Sequence, residues 1–149
     1  MDGSEILAFL RRQRFGVISS IGHDGRPQSA VVGVAFTGEG DAVFDTLGSS
    51  HKALNLRRDP RASLVLWEGE RTVQMEGRVD EPSGSDREAI LKVYLAAFPD
   101  GVERLRWEGI AHFRFRASWV RDSDFGAGAQ PRIVELASVQ WATKRRPRP

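Results

Sequence analysis

The sequence predicts a mainly β fold, an antiparallel barrel with helices at its periphery. Two observations carry that reading. Five or six short segments rich in β-branched, aromatic and small residues are joined by turns of hairpin composition. Helical patterns fall only between some of them, whereas a parallel sheet needs a crossover helix after nearly every strand. The 149 residues suit one domain, and a 40% hydrophobic, 28% charged composition is that of an ordinary globule.

The first helix opens with Ser4 as its cap and sets Ile6, Leu7 and Leu10 on one stripe. Phe15 to Ile21 reads as a strand, and Gly22-His23-Asp24-Gly25 as the hairpin turn after it. A second strand, Gln28 to Phe36, runs into a turn at Thr37-Gly38-Glu39-Gly40, and a third is short, Ala42 to Thr46. The next segment opens with Ser49 and Ser50, continues in helix formers and closes on Asp59-Pro60, so it is a short helix with a marked start and stop. Strands Ala62 to Trp67 and Thr72 to Val79 are joined by Glu68-Gly69-Glu70-Arg71. A longer helix spans Asp86 to Ala97, with Ser85 and Glu88 at capping-box spacing. A long strand, Ile110 to Val120, precedes a glycine-rich loop at Gly126 to Gly128 and a short extended piece at Ile133 to Leu136.

Composition excludes several classes. There is no cysteine, so disulfides, thiolate chemistry and cysteine metal sites are out, which suits the cytoplasm. No run approaches the roughly 18 apolar residues of a membrane span, and acids precede the apolar part of the N-terminal segment, which reads as a helix rather than a signal peptide. Net charge is +2, but Lys144, Arg145, Arg146 and Arg148 leave only 18 basic against 20 acidic residues elsewhere. A balanced body with a short basic tail, residues 141–149, does not describe a nucleic-acid-binding surface. Residues 1–140 form the single domain and the tail is expected to be solvated.

Side-chain catalysis leaves no signature. His23, His51 and His112 lack metal-ligand spacing, and there is no nucleophile elbow, P-loop or GxGxxG. One segment does carry chemistry. Thr46 ends a strand, and Ser49, Ser50, His51 and Lys52 open a helix directly after it. Free N–H groups at a helix start, with hydroxyls, an imidazole and an ammonium in its first turn, suit a phosphate. Serine-rich helix starts also serve simply as caps, and that alternative stays open here.

From about Phe9 to Val79 the chain resembles the pyridoxamine-phosphate-oxidase-like family of FMN- and deazaflavin-binding split barrels. The resemblance rests on FGVISSIGHDGRPQ, on VFDTLGSSHKALNLRRDPRASLVL and on TVQMEGRV, in one register. It implies a six-stranded antiparallel split β-barrel of Greek-key type, a homodimer, and FMN or coenzyme F-420 as cofactor. It places the phosphate grip on Ser50, His51 and Lys52, with Asp45, Thr46 and Ser49 beside it. The strand along the cofactor ring corresponds to Ala30, Val31, Val32, Gly33, Val34 and Ala35, while Thr72 and Gln74 face the cofactor from another strand. Arg57, with Arg58, would add a basic groove for the anionic tail of coenzyme F-420. Where true pyridoxamine-phosphate oxidases carry Arg, Lys and Arg, this sequence has Ala30, Ala35 and His51. That departure implies a relative with another small-molecule substrate.

The function so implied is an oxidoreductase passing hydride between the cofactor and a small organic substrate. In such a protein the cofactor carries the chemistry, which accounts for the missing catalytic signature. Trp67, Trp107 and Trp119 are candidates for pocket or interface surface. Two other readings fit the same fold: a carrier that holds the cofactor without turnover, and a haem-binding barrel using His51 or His112 as axial ligand.

Overall fold

The structure is a computed structural model that describes residues 3–137, 139 and 141. Its strands are β1 (Phe15–Ile21), β2 (Pro27–Gly33), β3 (Ala35–Phe36), β4 (Ala42–Leu47), β5 (Arg61–Glu68), β6 (Arg71–Asp80), β7 (Ile110–Asp124) and β8 (Arg132–Leu136). The helices are α1 (Gly3–Arg12), α2 (His51–Arg58), α3 (Gly84–Ala97) and α4 (Gly101–Arg104). All strand pairings are antiparallel, in the order β2-β1-β5-β6-β7-β4-β3, with β8 also on β7.

That order bends the sheet. β2 and β3 are its two ends, yet only Val34 separates them in the chain. Two residue steps of backbone reach no more than about 7 Å, so the sheet must curl until its edges meet. Val34 is buried, and its N–H donates to the Arg14 carbonyl at 2.9 Å, fixing the crossing at the foot of β1. The strand expected over Gln28 to Phe36 is therefore two strands on opposite edges. With β8 added, the expected six strands become eight, in the same antiparallel barrel-like architecture.

Alternation along the strands supplies the core. Opposite residues of antiparallel neighbours share a face, and the row Ala30, Ile18, Leu64, Met75, Val120, Leu136 runs across the sheet on its inner side. Most of this row belongs to the main apolar cluster, which α1 closes with Ile6, Phe9 and Leu10. A smaller cluster, Ala35, Val43, Ile90, Tyr94 and Phe98, forms where α3 covers the outside of β3 and β4.

Some details depart from the sequence reading. α1 begins at Gly3, so Ser4 lies within its first turn, and α3 begins at Gly84, so Ser85 is inside the helix and not its cap. α4 had no signal of its own. Trp141, assigned to the tail, is buried against Gly40, where any Cβ would collide with the indole ring. The rest of the expected tail, residues 142–149, lies outside the described residues.

The β6–β7 register shifts between Glu76 and Gly77, leaving Ser118 as the extra residue of a bulge. At Gly77 a Cβ would run into the carbonyl oxygen of Arg116, so only glycine fits. Gly77→Ala should destabilise the fold by roughly 1–3 kcal/mol through forced backbone shifts. Urea unfolding of the two proteins measures it, and equal midpoints would show that the strands separate there at no cost.

Candidate functional site

Because β4 lies next to β3, the helix that follows β4 emerges across the seam from β2. Ser50 caps α2 in extended backbone, and its Oγ accepts from the Ala53 N–H at 3.2 Å. The same oxygen lies 2.9 Å from Thr46 Oγ1, tying the helix start to the end of β4. The serine-cap reading therefore holds for Ser50, while His51 and Lys52 remain at the opening.

The helix is clasped to the β1–β2 hairpin by a buried amide. Asn55 Nδ2 donates to Ser20 Oγ at 3.1 Å and to Gln28 Oε1 at 2.7 Å. Arg58 donates to Asn55 Oδ1 at 3.0 Å and to the Ile21 carbonyl at 3.2 Å. Between helix and hairpin lies a cavity of about 370 Å³ lined by Ile18, Ser20, Gln28, Ser29, Ala30, His51 and Lys52. Its lining holds an ammonium, an imidazole, two hydroxyls and an amide, and no carboxylate among the described residues. Such a donor set can hold an oxyanion.

The structure thus brings Ala30, His51 and Lys52 together, with Thr46 and Ser50 tied beside them. Ser49 is exposed at the helix approach. The other ring-strand residues diverge. Val31 is 65% exposed on the outer face, Val32 and Val34 point into the core, and Ala35 packs under α3. Gly33 is half-buried. Thr72 and Gln74 sit on the outer side of β6, in line with Trp67 and Val65, and do not line this cavity.

Asp45 and Arg57 are engaged elsewhere. Strand alternation turns Asp45 away from Thr46, and its carboxylate accepts from Arg104 Nε at 2.7 Å. Arg57 forms a two-pronged pair with Glu81, both contacts 2.8 Å, and also donates to the Gly48 carbonyl at 2.9 Å. It builds no groove at the cavity. Ser20, Gln28 and Ser29 went unread in the sequence, although Ser20 and Gln28 share the inward parity of Ile18 and Ala30 and so marked a polar end to the barrel interior.

A second polar cluster surrounds Asp45. Arg104 also donates to Asp100 Oδ2 at 2.7 Å and to the Tyr94 hydroxyl at 3.1 Å. Burial, reinforced by Asp45, pushes the Tyr94 phenol up to about 12. His112 stands edge-on to Tyr94, buried, and its Nδ1 has no hydrogen-bond partner among the described residues. Burial lowers its pKa from the ordinary 6.5; Asp45 opposes the shift, and Arg87 and Arg104 add to it.

The pyridoxamine 5'-phosphate oxidase family pattern matches residues 3–120. This chain belongs to that family. A curated pyridoxine/pyridoxamine 5'-phosphate oxidase of Burkholderia lata is 32% identical over 92 residues, 60% of this chain and 41% of that protein. Another from Chromohalobacter salexigens is 27% identical over 133 residues, 88% of this chain and 50% of that one. The chain therefore spans half or less of the length of these oxidases. Among solved structures, a conserved hypothetical protein of Mycobacterium tuberculosis aligns at TM-score 0.71 and 26% identity, covering 85% of this chain and 86% of that one. A haem-binding protein of Mycobacterium smegmatis aligns at 0.77 and 20%, covering 90% and 57%. An FMN-binding, pyridoxamine 5'-phosphate oxidase-related protein of Nostoc punctiforme aligns at 0.62 and 15%, covering 88% and 84%. These likenesses place the family's split-barrel fold on this chain.

Within this family member, His112 gives the fold a pH signature. A histidine whose native-state pKa lies below its unfolded value binds its proton more readily in the unfolded chain, so protonation favours unfolding. Its contribution is complete above about pH 6.5 and is lost as pH falls from there toward the lower folded value. His112→Phe should flatten the stability profile in that window when urea midpoints are compared across it. An unchanged profile would assign the acid loss to carboxylates instead.

Proposed function

We propose that the cavity beside α2 holds the phosphate of FMN, and that a homodimer of this chain is a cytoplasmic oxidoreductase passing hydride to or from a small organic molecule. The carrying observation is the lining itself: Lys52 and His51 converge with Ser20, Gln28 and Ser29, and among the described residues no acidic side chain lines the cavity with them. The bound flavin would supply the hydride chemistry. Lys52 and the helix start grip the phosphate, and Ala30, with no side chain beyond Cβ, leaves room along β2.

FMN is favoured over coenzyme F-420 because Arg57 and Arg58, the cations expected to serve a long anionic tail, are bound to Glu81 and to Asn55. A haem reading fits the lining less well. Five of its seven residues are polar, and of the two candidate axial histidines only His51 is among them. The haem-binding neighbours nonetheless make haem a necessary control, with a Soret band on titration as its signature. A carrier role would appear as tight FMN binding without reduction of any acceptor.

A second copy is argued from the outer face of the sheet. Phe15, Val31 and Trp67 are 57%, 65% and 48% exposed there, beside Thr72 and Gln74. One chain cannot bring Thr72 or Gln74 to its own cavity, but a partner lying on this face can, as the family resemblance implies. Sedimentation should report about twice the 16.6 kDa chain mass, and Trp67→Glu should shift it toward monomer. A monomeric parent protein at micromolar concentration would remove the dimer from this proposal.

Lys52→Ala tests the phosphate grip. A charge-assisted bond of roughly 1.5–3 kcal/mol corresponds to about 10- to 150-fold weaker FMN binding. Riboflavin, which lacks the phosphate, should bind the variant about as it binds the parent protein. Equal losses for both ligands, followed by fluorescence, would make Lys52 structural.

A further inference from the structure

We infer that Gln28 is a second phosphate-binding residue, its amide held so that only N–H groups are offered to the cavity. The inference deepens the reading of this cavity as a phosphate site and rests on it. The argument starts from Arg58, whose guanidinium can only donate. Its Nη2 lies 3.0 Å from the Asn55 side chain, which must therefore present Oδ1 on that side. Nδ2 then faces the hairpin, donating to Ser20 Oγ at 3.1 Å and to the Gln28 side chain at 2.7 Å. Against a donor Gln28 must present its oxygen, because a flipped amide would set two NH2 groups against each other at hydrogen-bond distance.

Polarity thus passes from Arg58 through Asn55 to Gln28. The Gln28 Nε2 group is left on the far side of the amide, with no partner among the described residues, on a side chain that lines the cavity with Lys52. Ser20 is constrained likewise: its oxygen accepts from Asn55, and its own proton remains free for a cavity oxygen. Lys52, Gln28 and Ser20 therefore present donors from two sides, helix and hairpin. A group with several acceptor oxygens, a phosphoryl group, satisfies all three, whereas a ligand with its own N–H at that point would meet only donors. The clasp that holds α2 to the barrel thereby also sets the polarity of the site.

Gln28→Glu separates the two roles of this side chain. A carboxylate still accepts from Asn55, so the clasp and the thermal midpoint should stay close to those of the parent protein. The donor facing the cavity becomes an anionic acceptor, and FMN affinity should fall at least tenfold, of the order lost with one bond to a charged group. Riboflavin affinity should hardly change. Gln28→Met removes the donor without adding charge, though it also removes the acceptor for Asn55 and so should lower the thermal midpoint; it should cost FMN less than the Glu variant does. FMN binding unaltered in Gln28→Glu, or FMN and riboflavin weakened equally, would overturn the inference and leave the flavin reading standing. Inorganic phosphate is the further probe if the parent protein binds no FMN. A phosphate-dependent rise in thermal midpoint that disappears in Gln28→Glu would keep the donor role and discard the flavin. No rise with phosphate in a parent protein that also binds no FMN would overturn both.

Discussion

A single residue, Val34, joins the two edges of the sheet. β2 and β3 are terminal strands at opposite ends of the strand order, and the chain passes from one to the other in one step. Backbone geometry leaves a curled sheet as the solution, with Val34 buried and its N–H held by Arg14. Curling sets β4 near β2 across a seam, and α2, which begins four residues after β4 ends, comes to lie along that seam. The cavity exists because the barrel stops short of closing there, and α2 supplies the wall that a strand would otherwise provide.

Charge is distributed so that this wall remains available. The cations around the site are committed to partners that hold the fold: Arg57 to Glu81, Arg58 to Asn55 and the Ile21 carbonyl, Arg104 to Asp45 and Asp100. Lys52 has no ion-pair partner among the described residues, and it lines the cavity. Arginine's planar fork suits the two-pronged structural pairs, while lysine's compact charge on a flexible stem suits a ligand-facing position. The polar residues opposite it are constrained by one another, since Asn55, Ser20 and Gln28 form a chain of bonds whose direction a guanidinium fixes. The same residues secure the helix and determine what the cavity offers.

The two faces of the sheet divide the molecule's tasks. Inward residues of β1, β5, β6 and β7 make a continuous apolar core, and the change to Ser20 and Gln28 at one end makes that end polar. The outward residues keep Phe15, Val31 and Trp67 at the surface beside Thr72 and Gln74. This chain covers 41% and 50% of two curated oxidases of its family.

Much of this was legible in the sequence because its causes are local. Strand alternation in Phe15 to Ile21, the turn at His23-Asp24-Gly25 and the stop at Asp59-Pro60 depend on residues a few positions apart, and those elements lie where they were read. The capping serine and the proximity of Thr46, Ser50, His51 and Lys52 are likewise properties of one short segment. Long-range pairing decided the rest. Nothing within Gln28 to Phe36 announces a break at Val34, since the break arises from which strands pair with each half. Asp45 and Arg57 were site candidates by position; the structure pairs them with Arg104 and Glu81, 59 and 24 residues away, contacts that only the fold creates. Gln28 acquires its role through Asn55, 27 residues further on. The sequence by itself determined the elements and the chemistry carried by one helix start; the tertiary structure decided which charges are neutralised, which face each strand residue takes, and which donors remain free to meet a ligand.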